Sequence, residues 1–151
     1  MRPLADMLTA IRTDLKMEVA FVSKFTNGRR VFEHVSAANG VCTAIQPGAS
    51  DPLEDTYCQR VVDGRVPLVI RDTSKNAAVS ELPITRSLGI GSYLSAPIVL
   101  HNGTVYGTLC CLSRSSNESL TNSDAKALRA IADLVAPGVD KRGELRSPLW
   151  L

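Results

Sequence analysis

No stretch of this sequence approaches the roughly 20 consecutive apolar residues that a helix needs to cross a bilayer, and the amino terminus lacks the basic-then-apolar pattern of a secretory signal. Membrane association is therefore not expected, and the chain is expected to stay in the cytoplasm. Cysteine pairs of the CxxC kind are also missing. The four cysteines are Cys42, Cys58, Cys110 and Cys111, and a reducing compartment keeps them as thiols. Adjacent Cys110 and Cys111 point to opposite faces of a strand, with Cα atoms about 3.8 Å apart, closer than disulfide geometry normally takes. An excess of charge is lacking too: 17 Lys and Arg stand against 15 Asp and Glu. That balance leaves no basic footprint for a phosphate backbone, so nucleic acid is not an expected partner. Histidine is reduced to His34 and His101. Surface positions on an early strand and in a turn explain both, so no metal site is expected.

What is present is an ordinary globular mix, 44% hydrophobic and 21% charged over 151 residues, enough for one core and too little for two. Residues 1–139 read as a single domain, and residues 140–151 as a tail or the start of a linker. Leu4, Leu8, Ile11 and Leu15 recur at helical spacing, with Pro3 in the first turn. Residues 18–25 and 30–36 are β-rich runs joined by Asn27-Gly28, a tight-hairpin signal. A loop-rich stretch follows, with a short strand expected around residues 41–45. Asp51-Pro52 with Glu54 three residues on has the form of a capping box, so a helix is expected from there, with Tyr57, Cys58 and Val61 on one side and Gly64 as terminator. Residues 66–70 read as a short strand, and 72–86 as a loop with at most a turn or two of helix. Two clear strands, 91–100 and 104–113, flank His101-Asn102-Gly103. Leu120 and Thr121 to Asp124 supply a hydrophobic staple and caps for a last helix carrying Leu128, Ile131, Ala132 and Val135.

This order of elements predicts an α/β (α+β) fold, a central antiparallel sheet of five to six strands with helices on both faces. Alternation then divides the two clear strands. Leu94, Ala96, Ile98, Leu109 and Cys111 fall on a dry face suited to the terminal helices. Tyr93, Ser95, Thr108 and Cys110 fall on the opposite, mixed face, which the helix bearing Tyr57, Cys58 and Val61 is expected to cover. A mixture of apolar wall and few polar groups is what a small-molecule cavity wants. The same division assigns Tyr106 to the mixed side.

The stretch Leu53 to Asp72 (LEDTYCQRVVDGRVPLVIRD) followed by Leu88 to Ser113 (LGIGSYLSAPIVLHNGTVYGTLCCLS) resembles the GAF domain family, in which a helix leads to a strand ending in Asp and then to two long paired strands. The resemblance implies a non-catalytic sensory module that binds a small ligand, or dimerises through its terminal helices, to control a signalling output domain or partner protein. It also implies the ligand position, between sheet and connecting helices, where Tyr57, Cys58, Val61, Tyr93, Ser95, Thr108 and Cys110 gather. No cofactor is identified. Residues 77–88 hold no cysteine for the bilin attachment of phytochrome-like members, and the Asn-Lys, Phe and Asp-Glu signature of cyclic-nucleotide-binding members is missing. Two alternatives stand: a small thiol-dependent enzyme of the free-methionine sulfoxide reductase type using Cys58 and Cys110, and a scaffold that binds nothing and only dimerises. The carboxylates Glu54 and Asp55 are explained by the helix start.

Overall fold

The computed structural model describes residues 2–38, 44–139 and 145. Six antiparallel strands form one sheet: β1 (Val19–Thr26), β2 (Arg29–Ala37), β3 (Ser50–Pro52), β4 (Val69–Ile70), β5 (Ser92–Val99) and β6 (Val105–Ser113). Their spatial order is β3-β2-β1-β6-β5-β4. Helices α1 (Arg2–Asp14) and α5 (Asn122–Val135) pack on one face. On the other lie α2 (Tyr57–Val62), α3 (Ala77–Ser80) and α4 (Pro83–Ser87). This is the α/β arrangement that the order of the elements implies.

Local chemistry accounts for most boundaries. Helix α1 ends where Lys16 turns left-handed at φ +56°, with Lys16 N–H donating to the Thr13 carbonyl at 3.2 Å and Met17 N–H to that of Arg12 at 2.7 Å. These two bonds make a Schellman ending, formed here without glycine. Between β1 and β2, Asn27 at +53° and Gly28 at +73° close a two-residue hairpin of the kind whose central residues both need positive φ. At α5, Thr121 and Asp124 form a reciprocal capping box.

Two separate cores flank the sheet. Leu4, Leu8 and Ile11 of α1 and Leu128, Ala132 and Val135 of α5 bury Leu94, Ala96, Ile98, Leu109 and Cys111. Tyr57, Cys58 and Val61 of α2 join Phe21, Phe32, Tyr93, Cys110 and Leu112 on the opposite side. The division by alternation therefore holds along β5 and most of β6. It fails at Tyr106, which belongs to the first core, because a register shift between Ile98 and Val99 inserts an extra residue into β6 there.

Two other expectations are corrected. The capping box at Asp51 and Glu54 does not form. Residues 50–52 instead make edge strand β3, Asp51 pairs with Arg30, Glu54 pairs with Arg65, and a 3-10 turn over Leu53–Asp55 precedes a shorter α2 capped by Thr56, whose hydroxyl accepts from Gln59 N–H. The strand expected over 66–70 shrinks to Val69–Ile70. Val66 N–H donates back to the Arg60 carbonyl to finish the helix end, and Pro67 has no N–H to give a ladder. Of the strand expected at 41–45, residues 41–43 lie outside the described residues, and Ala44 and Ile45 belong to no strand. The expected tail falls at 140–144 and 146–151, also outside them, while Leu145 makes an isolated antiparallel bridge to Val139.

Candidate functional site

The mixed face is assembled by cross-strand register. Ser95 of β5 lies opposite Cys110 of β6, which lies opposite Phe21 of β1; one step along, Pro97, Thr108 and Ser23 form the next row. Gly107 permits this row. A Cβ at that position would lie 1.9 Å from the Ser23 carbonyl oxygen, so only glycine lets the β1 and β6 backbones come this close. On β2 a second register shift, between Val22 and Ser23 of its partner, leaves Glu33 as the extra residue. Arg30 and Phe32 precede it, Phe32 in the core with Cys58; Ser36, beyond it, meets α1 through the Thr9 hydroxyl at 2.7 Å and Arg12 Nε at 2.9 Å.

All seven residues assigned to the pocket from sequence, Tyr57, Cys58, Val61, Tyr93, Ser95, Thr108 and Cys110, meet on this face, each 7% exposed or less. Six polar side chains form one continuous network. The Cys110 thiol donates to Thr108 Oγ1 at 3.1 Å, and the Thr108 hydroxyl donates to Cys58 Sγ at 3.2 Å. Tyr93 OH lies 3.2 Å from Cys110 Sγ and 3.7 Å from Cys58 Sγ, Ser95 Oγ lies 3.2 Å from Cys110 Sγ, and Ser23 Oγ lies 2.7 Å from Thr108 Oγ1. Each sulfur thus touches the same two oxygens. Beside the network, the Tyr57 and Tyr93 rings meet edge to face at 5.0 Å. The Thr85 hydroxyl donates to the Val79 carbonyl at 2.6 Å, which leaves Tyr57 OH as the donor to Thr85 and ties α2 to α3 and α4.

Sequence reasoning missed Ser23 and Arg30. Continuing the alternation of Val19 and Phe21 one step along β1 would have found Ser23. Arg30 carries no local signal: it is 2% exposed, its Nη2 pairs with Asp51 Oδ2, and its guanidinium carbon lies 3.9 Å from the centre of the Phe32 ring.

The two thiols are electrostatically unequal. Burial pushes Cys58 up, but the Cys110 thiol, the Arg30 charge and the Thr108 and Tyr93 hydroxyls together outweigh it and bring Cys58 below the usual thiol range. Cys110 moves the other way, raised by burial and by its position beside Cys58. On the dry face, burial alone pushes Cys111 up to about 12. Among the described residues no group of three or more His, Cys, Asp or Glu side chains is placed to hold a metal ion. His101 is exposed in its turn and His34 is half-buried beside Glu33, with burial lowering its pKa. No helix among the described residues is long and apolar enough to cross a membrane.

Residues 4–138 match the family described as GAF domain. Among curated proteins none matches the chain. Solved structures do. A far-red cyanobacteriochrome photoreceptor superposes with a TM-score of 0.68 at 18% identity, covering 89% of this chain and 82% of its own. The type II free methionine-R-sulfoxide reductase from Thermoplasma acidophilum gives a TM-score of 0.68 at 17% identity over 90% of this chain and 89% of the other. The GAF domain region of a putative membrane protein from Geobacter sulfurreducens PCA gives 0.67 at 21% identity, with coverages of 89% and 88%. At these identities the likeness is one of fold.

Proposed function

Since the chain belongs to the GAF domain family, we propose that it works as a non-catalytic sensory module, holding a small molecule between the sheet and α2 to α4 and passing the binding event to a signalling output domain or a partner protein in the cytoplasm. The observation that carries this reading is the buried network of Ser23, Cys58, Tyr93, Ser95, Thr108 and Cys110. Six hydroxyls and thiols concentrated on one face of a sheet, while the other face has an almost wholly apolar core, are more than packing requires. Hydroxyls and thiols both donate and accept, so the same groups that now satisfy one another serve a ligand's polar atoms once the face opens. The test is to denature the purified protein and identify released small molecules by mass spectrometry. A stoichiometric molecule that is lost in Thr108→Val supports the reading. An empty protein whose melting temperature no metabolite raises would leave the scaffold alternative in its place.

A homodimer through the terminal helices belongs to the same proposal. The apolar stripes of α1 and α5 are turned onto their own sheet, so a second copy would meet their outer surfaces, where Leu134 is 50% exposed. Light scattering at tens of micromolar checks this, and a concentration-independent monomer mass would remove it.

One observation favours a second reading. Cys58 and Cys110 share both Thr108 and Tyr93 as neighbours, and their surroundings shift the two thiols in opposite directions, Cys58 down and Cys110 up. That asymmetry suits a thiol-dependent reductase such as the Thermoplasma acidophilum protein of similar fold. Turnover of free methionine sulfoxide with a thiol reductant, abolished when both cysteines are serine, would establish it; no turnover leaves the sensory reading.

A further inference from the structure

Arg30 is the one charged side chain that is almost fully buried among the described residues, and, like that of Arg60 on α2, its Nε is buried without an acceptor. Its side chain is 2% exposed, Asp51 takes only Nη2, and Nε is buried with no acceptor among the described residues. An unmet donor on a buried guanidinium is costly, and an internal ion pair that served stability alone would use the parallel two-bond geometry that Nε and Nη2 together offer a carboxylate. Asp51 does not use it. Phe32 covers the guanidinium at 3.9 Å, and the free donor lies in the guanidinium plane, where a second planar group can meet it. The charge is not remote from the network, because its field reaches Cys58. Nor is it sealed off: Asp51 is 34% exposed and belongs to a three-residue strand at the edge of the sheet.

We propose that Arg30 is the seat for an anionic end of the ligand, a carboxylate or comparable planar oxyanion that reaches the mixed face from the β3 edge, binds Nε and Nη2 side by side, and displaces Asp51. This rests on the sensory reading of the same face and names the ligand class it takes. Two carboxylates cannot share one side of a guanidinium without repelling each other, so the incoming anion and Asp51 compete. Release of Asp51 frees β3, and with it the 3-10 turn Leu53–Asp55 and Thr56 that start α2. Binding at the sheet edge is thereby converted into movement of the helix that carries Cys58.

The experiment is a titration of the nitrogen-15-labelled full chain with acetate, reading the arginine Nε–Hε signals and using chloride at equal ionic strength as the reference. The expected result is a saturable shift of the Arg30 signal, while Arg65 and Arg129, exposed and already paired with carboxylates, follow the chloride reference. Asp51→Asn should tighten acetate binding several-fold, because the competitor is neutralised. Arg30→Gln should weaken it by roughly ten- to a hundredfold, the worth of a charged hydrogen-bonded pair. An Arg30 signal that tracks chloride overturns the proposal, and so does an Asp51→Asn variant that binds no tighter; the first result needs only the unaltered protein and does not depend on either variant folding. The broader reading fails separately. A neutral molecule that co-purifies equally with the unaltered protein and with Arg30→Gln would remove the anion seat and leave the sensory pocket standing.

Discussion

The two faces of the sheet are built from the same strands and are close to opposite in chemistry. Beneath α1 and α5, Leu94, Ala96, Ile98, Leu109 and Cys111 make a dry core in which the thiol is an inert hydrophobe. Beneath α2, the very next residues along β5 and β6 carry hydroxyl, thiol and phenol groups that touch one another. Leu109 and Cys110 are neighbours in sequence and belong to different environments. The comparison teaches that strand period alone separates two chemistries: one face is filled with aliphatic side chains, and the other gathers the polar groups into one network.

The sharpest way to break that division is Leu109→Ala. A fully buried leucine lost from the dry face should destabilise the protein by about 2–5 kcal/mol, measured by denaturant unfolding. A smaller loss than that of any single mixed-face change would show that the dry face does not dominate stability. Next in size is Gly103→Val. Gly103 sits at φ +87° in the turn between β5 and β6, and a β-branched residue there should lower stability by about 1–3 kcal/mol, seen as a clear drop in melting temperature. Because this hairpin supplies both faces, the mixed-face network and the dry core should loosen together.

Tyr93→Phe probes the mixed face alone. It should cost about 1 kcal/mol of stability and also move the Cys58 titration upward, since one of the groups that favour the thiolate is removed. Thiolate absorbance against pH checks the direction, and Cys58→Ser identifies the signal; an unmoved titration would mean that Tyr93 does not serve that sulfur. The smallest effect belongs to neither face. Glu18, where α1 meets β1, accepts from Arg114 N–H and Nη2, both at 2.7 Å, and the hydrogen-bonding Arg114 side chain holds its carboxyl below the usual range. A lowered folded pKa contributes stability above the unfolded pKa, and that contribution is lost as pH falls through the folded value. Partly exposed, the pair is worth at most about 1 kcal/mol. Glu18→Gln should therefore lower stability at neutral pH by up to about 1 kcal/mol, flatten the acid limb, and leave stability at the acid end nearly unchanged, as denaturant unfolding across pH would show.

Much of this arrangement was legible in the chain. Period-two alternation placed Tyr93, Ser95, Thr108 and Cys110 together because β5 and most of β6 are regular, and the caps at Thr121 and Asp124 work within four residues of each other. What escaped was decided at a distance or by an irregularity. Asp51, Pro52 and Glu54 obey the local rule for a helix start, yet Arg30, 21 positions earlier, wins the Asp51 carboxylate and draws the segment into the sheet. Tyr106 changes sides because one extra residue in β6 resets the alternation, and no local propensity announces a bulge. Arg30 was invisible for a related reason: the pair Arg29-Arg30 beside a hairpin turn reads as solvated charge, and only the pairing with β3 buries the second of them.

The network on the mixed face also has a place in time. Ser23, Cys58 and Thr108 are separated along the chain by 35, 50 and 85 positions, whereas each hairpin joins near neighbours. Closing such long loops is entropically expensive, so the local hairpins nucleate first and the pairing of β1 with β6 comes after them. Within the network, Tyr93, Ser95, Thr108 and Cys110 meet inside the β5–β6 hairpin, whereas Ser23 and Cys58 reach them only across long loops and are expected to join late. Substitutions at Ser23 and Cys58 are accordingly expected to speed unfolding while leaving the folding rate nearly unchanged, which makes the long-range half of the network a late passenger on a scaffold already assembled.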